Sequence, residues 1–190
     1  MSPQKPVSYQ SCGKDVRIDE RAVIVHPDLA NFADHVAIDA FTFLSTALRI
    51  GSHVHIGPMV SVIGGRLSTF VMEDFSGLAA GCRIACASDD FVFGSGLANP
   101  TVPAPFRGDV VVTTVTLERH AMLATNCVVF PGVTIGQGAV ASAASVIKSD
   151  LEPWTIYAGN PAVPVGKRPR SLVLKREAEL RAHQRGQSAP

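Results

Sequence analysis

From Leu117 onward an aliphatic residue recurs every sixth position. Leu117, Leu123, Val129, Ile135, Ala141 and Ile147 each open a unit, and a small or branched residue fills the fifth place (Ala121, Cys127, Val133, Ala139, Ser145). The same spacing runs upstream through Ile18 and Ile24. It resumes after a slip of two residues at Ile38, Leu44, Ile50, Ile56 and Val62, and after a slip of four it gives Met72, Leu78 and Ile84. Neither the period of a helix nor that of a half-buried strand produces a repeat of six. A six-residue unit suits a short strand plus a tight turn, and three units close one triangular coil. Stacked coils then bury the first and fifth places in a narrow prism. Gly51, Gly57, Gly132, Gly136 and Gly138 fall at the turns. Residues 18–150, less one interruption, make about six coils.

The interruption, residues 88–109, carries Pro100, Pro103 and Pro105 with Gly94, Gly96 and Gly108, so it cannot pair as a central strand and must leave the prism. Its three aromatics, Phe91, Phe93 and Phe106, favour docking on protein over solvation. Beyond the solenoid, residues 171–184 read as a helix with Ser171 as N-cap and Leu172, Leu174, Ala178 and Leu180 as its apolar face, packed over the last coil or a neighbour. The expected organisation is an N-terminal extension or first irregular cap (1–15), a β-helix (16–152) with a loop at 88–110, and a closing segment with the helix (153–190). Residues 185–190 are expected to fray.

Composition narrows the function. The chain has 190 residues, 46% hydrophobic, 17% charged and 6% aromatic, with 17 Lys and Arg against 16 Asp and Glu. That is one folded domain with no net field for nucleic acid or an anionic membrane. No apolar run approaches the roughly 18 residues of a membrane helix, and Met1 to Pro6 lacks the apolar stretch of a signal peptide, so the expectation is a cytoplasmic protein without membrane insertion. Four cysteines are too few for a disulfide scaffold, and the Cys82 and Cys86 pair has no partner pair for zinc.

The run Val129-Phe-Pro-Gly-Val-Thr-Ile-Gly-Gln-Gly-Ala-Val, the following Ala-Ser-Ala-Ala-Ser-Val-Ile-Lys-Ser-Asp-Leu and the close Trp154-Thr-Ile-Tyr-Ala-Gly-Asn-Pro-Ala162 resemble the hexapeptide-repeat acyltransferases. The chain is also similar to sugar O- and N-acetyltransferases of surface-polysaccharide pathways. The resemblance implies an all-β solenoid, a left-handed parallel β-helix with one protruding loop and a C-terminal helix. It further implies a homotrimer, acetyl-CoA or another acyl-CoA as co-substrate, no metal, and a sugar or nucleotide-sugar acceptor. The loop would reach a neighbouring subunit and wall the active site. By the same resemblance Thr125, Ala143, Ile147 and Lys148 would line the coenzyme groove, with Gly159, Asn160 and Pro161 at the bend near its nucleotide end. Lys167, Arg168 and Arg170 would be its phosphate partners, because Val163 stands where the family often has a cation.

Acyl transfer to a hydroxyl needs a base, and the resembling O-acetyltransferases carry a histidine at the start of the loop. Here that place is Ser88-Asp89-Asp90, and the loop holds no histidine. Three alternatives stay open. His53, His55 or His120, outward-facing by register, could line an intersubunit cleft. Asp89 or Asp90 could orient the acceptor or act as base if burial raised its pKa. An amine acceptor would need little help. Two other classes share the repeat. A γ-class carbonic anhydrase needs three converging histidines, and His120 is followed by Thr125 and Asn126 rather than a second one. A non-catalytic scaffold would need neither loop nor basic close.

Overall fold

The computed structural model describes residues 8–187. Its strands stack into three sheets that form the faces of a prism. The first contains Ser11–Cys12, Ala30–Phe32, Ala47–Ile50, Thr69–Met72, Thr114–Leu117 and Thr134–Ile135. The second contains Val16–Ile18, Val36–Ile38, Val54–Ile56, Gly77–Leu78, Met122–Leu123, Val140–Ala141 and Thr155–Ala158, closed by antiparallel Val163–Lys167. The third contains Val23–Ile24, Phe43–Leu44, Ser61–Ile63, Arg83–Ala85, Val128–Val129 and Val146–Ile147. The remaining pairings within these sheets are parallel, and there are about seven turns, one more than the repeat predicts. The extra turn begins with Ser11–Cys12, inside the stretch expected as an extension; residues 1–7 of that stretch lie outside the described residues.

Pairing register explains the repeat. Leu44, Val62, Ile84, Val129 and Ile147 lie over one another in the third sheet, and Ile38, Ile56, Leu78, Leu123 and Ala141 in the second, all buried. The fifth places, from Ala121 to Ser145, turn inward at the corners, where only small or branched groups fit. A polar group there satisfies itself locally, as Ser145 does by donating to the Ser142 carbonyl at 2.7 Å.

Residues in excess of the repeat are expelled at one corner, between the third and first sheets. The slip of two is the 3-10 turn Pro27–Leu29. The slip of four is the turn at residues 64–67, from which Arg66 reaches back to Asp28 of the earlier excursion. The long loop leaves at the same corner on a two-stranded antiparallel hairpin, Ala87–Asp89 with Val110–Val112. Expulsion at a corner leaves the parallel ladders above and below in register.

The corner between the first and second sheets carries a column of side chains. Asp15, His35, His53, Phe75, His120 and Trp154 all adopt left-handed backbone conformations there, as does Gly138. Rings stack from His35 to His53 (4.7 Å), to Phe75 (4.9 Å), to His120 (5.2 Å) and, less regularly, to Trp154 (6.0 Å). Gly138 interrupts the side chains because a Cβ there would lie 2.5 Å from the Trp154 ring.

The helix Ser171–Gln187 lies along this column, and it is not docked as its pattern suggests. Leu172 and Ala178 are exposed, whereas Glu177 is buried against His120 (2.7 Å), Arg181 bonds Asp74 (3.0 Å) over the Phe75 ring, and Gln184 meets His53 (3.0 Å). Successive turns of helix, about 5.4 Å apart, match successive coils, about 4.8 Å apart, so each helical turn meets one rung. Ser171 is the first helical residue, and the helix runs through residues 185–187, which were expected to fray; residues 188–190 lie outside the described residues.

Candidate functional site

The loop root is built on Asp90. Its carboxylate accepts the N–H groups of Val92 (3.1 Å), Phe93 (2.7 Å) and Ser95 (3.2 Å). These bonds, that of Phe93 foremost, hold its pKa down to about 2. Asp90 is therefore an ionised loop cap, and the raised pKa that a base would need is not what its surroundings produce. Asp89 ends the outgoing hairpin strand beside it. The loop aromatics Phe91, Phe93 and Phe106 are 73%, 92% and 65% exposed, so among the described residues no surface of the same chain covers them. Between the loop root and the third sheet runs an apolar groove of about 410 Å³, lined by Ser61, Ile63, Arg83, Ser88, Phe91 and Phe130 among others.

The histidine candidates separate by surroundings. His120 faces outward from the prism but is covered by the helix: its side chain is 7% exposed and that of Glu177 8%. His53 is locked in the ring column, and burial foremost lowers its pKa. Neither is the open cleft residue that the repeat register alone implied. His55 is open. It stands on the second sheet, 60% exposed at the side chain, with Nε2 2.8 Å from Asp39 Oδ2. Asp39 was missed, although the register contains it: Ala37 pairs with His55, and a residue two places beyond Ala37 projects from the same face.

The candidate coenzyme residues divide between edges. Thr125 and Ala143 are exposed in successive turns at the corner between the second and third sheets. The Gly159–Ala162 bend ends the same edge, where Val146 N–H donates to the Gly159 carbonyl (2.9 Å) and Ala162 N–H to the Val146 carbonyl (2.8 Å); the Asn160–Pro161 peptide is cis. Ile147 is different. Its side chain is fully buried over Val129, so it faces the core and only its backbone could line a groove. Lys148 is exposed with its ammonium 5.5 Å from the Phe130 ring centre. Lys167 donates to Thr155 Oγ1 at 2.6 Å while remaining exposed. Arg168 is drawn inward: its guanidinium donates to the carbonyls of His120 (2.7 Å) and Gly138 (3.1 Å) and lies against Trp154, and burial lowers its pKa. It clamps the ring column through Nη1. Arg170 is exposed.

Comparison with known proteins decides the family. The solved structure of AntD, an N-acyltransferase from Bacillus cereus, in complex with dTDP and 3-hydroxybutyryl-CoA, matches with a TM-score of 0.86 and 31% identity over 94% of this chain and 93% of that one. The chain belongs to the hexapeptide-repeat sugar acyltransferases. This acyltransferase is also 28% identical over 172 residues, 89% of its length and 88% of the relative's, to a dTDP-4-amino-4,6-dideoxy-D-glucose acyltransferase of Escherichia coli. It is 27% identical over 148 residues, 72% of its length and 69% of the relative's, to WbbJ of Escherichia coli K12, a putative lipopolysaccharide biosynthesis O-acetyl transferase. A hexapeptide-repeat acetyltransferase of Vibrio cholerae, complexed with acetyl coenzyme A, shares the fold alone, with a TM-score of 0.60 and 17% identity over 85% of this chain and 72% of that one. No family model matches the acyltransferase. Among the described residues, no group of three His, Cys, Asp or Glu is placed to hold a metal ion, and no helix is long and apolar enough to cross a membrane.

Proposed function

We propose that this acyltransferase moves a short acyl group from coenzyme A to the amino group of a dTDP-linked amino-dideoxy sugar, as a cytoplasmic homotrimer serving surface-polysaccharide synthesis. The observation that carries the acceptor is the similarity along nearly the whole of both chains to AntD and to the Escherichia coli amino-sugar acyltransferase. The loop agrees with it: no histidine stands there and its capping acid stays ionised, a poor arrangement for deprotonating a hydroxyl but adequate for an amine that is already nucleophilic. The pantetheine arm would follow the edge of Thr125, Ala143 and Gly159, with Asn160 and Pro161 at its bend and exposed Lys167 toward the phosphates. Asp89, beside the loop cap, would orient the acceptor.

The trimer rests on uncovered apolar groups. Phe41, Phe43 and Met59 are exposed around the third sheet and its corner with the second, and the loop aromatics stand clear of the chain. Incubation with acetyl-CoA and dTDP-4-amino-4,6-dideoxyglucose, followed by mass spectrometry of the sugar nucleotide, tests the reaction. One added acetyl group is expected; acylation only of hydroxyl sugars under the same conditions overturns the amine reading. Light scattering in dilute solution tests the trimer.

A further inference from the structure

The histidines of the first corner are committed to stacking and to the helix, and His26 lies beside Arg66 at another corner. His55 projects from the open face of the second sheet and is held by a carboxylate. An ionised carboxylate can only accept, so the Nε2 that meets Asp39 carries the hydrogen and Nδ1 keeps its lone pair. The ground beside the ring is apolar. In register, His55 lies between Ala37 of the preceding turn and Gly77 of the following one, and the Met122 thioether reaches over Gly77, so a methyl group flanks one side and the Met122 side chain the other. Gly77 belongs to the turn from which the loop departs. The loop leaves at the corner opposite the second sheet, so within one chain it points away from His55, and only a second copy brings a loop against this face.

We infer that His55 is the proton acceptor of the transfer and that Asp39 is its positioning residue, an inference that rests on the amine-acceptor reading. The amine lone pair attacks the thioester carbonyl carbon and a C–N bond forms. The nitrogen, now cationic, must lose a proton or be expelled again. That proton passes to His55 Nδ1, the C–S bond breaks, and the imidazolium returns the proton to the departing thiolate. The products are an amide, the coenzyme A thiol and a neutral imidazole. Asp39 fixes the tautomer that presents Nδ1 and stabilises the imidazolium between the two transfers.

The test uses Asp39→Asn, His55→Gln and the double variant, all with exposed side chains at the altered sites, assayed with acetyl-CoA and the amino-sugar nucleotide across about pH 6 to 9. His55→Gln is expected to lower kcat by about a hundredfold or more with KM for acetyl-CoA unchanged. Asp39→Asn is expected to lower kcat by about tenfold with KM for acetyl-CoA unchanged, because the ring is less firmly held; a purely structural role would lower the folded fraction and leave kcat per folded molecule in place. The double variant should be no worse than His55→Gln. Ring-nitrogen NMR of the unliganded protein gives a readout independent of acceptor: the Nε2–H tautomer in wild type and a larger Nδ1–H fraction in Asp39→Ala, which leaves Nε2 without its acceptor. An unchanged tautomer ratio in Asp39→Ala, a kcat within about threefold of wild type in His55→Gln, or a further loss on adding Asp39→Asn to His55→Gln overturns the inference. A wild-type enzyme inactive on the amine overturns the acceptor reading instead, a result seen before any variant is made.

Discussion

Replacing Glu177 with alanine should loosen the C-terminal helix and leave the prism intact. Glu177 gathers three donors: His120 at 2.7 Å, Arg181 at 2.8 Å and Arg119 at 3.4 Å. The arginines are 41% and 40% exposed and regain water when the carboxylate is removed, so their loss contributes little. His120 cannot, because its side chain is 7% exposed. Stranding its ring N–H costs about 1–3 kcal/mol, taken as about 2 kcal/mol. The helix has 17 residues, a length marginal in isolation, so it depends on docking, and its docked population should fall about thirtyfold relative to the open one. Amide hydrogen exchange reads this directly: exchange within Ser171–Gln187 should accelerate about 10- to 100-fold, while Val129 and Ile147 in the third sheet keep their protection. Glu177→Gln, which retains an acceptor for His120, should show a smaller effect. Unchanged helix exchange, or equal acceleration in the prism, would refute the polar seam as what holds the helix. The sign of the pH dependence follows. Burial opposes ionisation of Glu177, but the bonds from His120 and Arg181 outweigh it and hold its pKa below the ordinary value. A depressed carboxyl contributes stability above its unfolded pKa, about 4.3, and loses it as pH falls through the folded value. Wild-type helix exchange should therefore quicken only as pH falls below about 4.3, and Glu177→Ala should lack that step.

Two further outcomes test the basic close and the core thiols. Lys167→Ala should raise KM for acyl-CoA with kcat nearly unchanged, whereas Arg168→Ala should lower the thermal midpoint by freeing the His120 and Gly138 carbonyls; a KM effect confined to Arg168→Ala would reverse these roles. A maleimide added to native protein should label Cys12, which is exposed, and spare buried Cys82, Cys86 and Cys127; burial pushes the Cys86 thiol up to about 12. Rapid labelling of all four, read by intact mass, would mean that the prism opens locally.

The six-residue period determined the solenoid by itself, because the inside of a narrow prism admits one kind of residue at one spacing, and each coil imposes that constraint again. Even the slips were visible: two, four and about twenty extra residues are the three excursions at one corner. The site was less legible. Asp90 reads equally as base or cap until its three main-chain donors are known, and Ile147 and Arg168, carried over by resemblance, turn out to face the core and the ring column. The helix defeated its sequence pattern because its partners are polar. Glu177, Arg181 and Gln184 recur at helical spacing, but nothing local says that His120, Asp74 and His53 recur at nearly the same pitch on a surface more than fifty residues away. Asp39 and His55 meet because one turn of solenoid brings residues from neighbouring coils side by side. Composition and period decided which residues point outward. Only the closure of the chain into coils decided which outward residues touch, since those contacts link positions distant in sequence through the spacing of the coils.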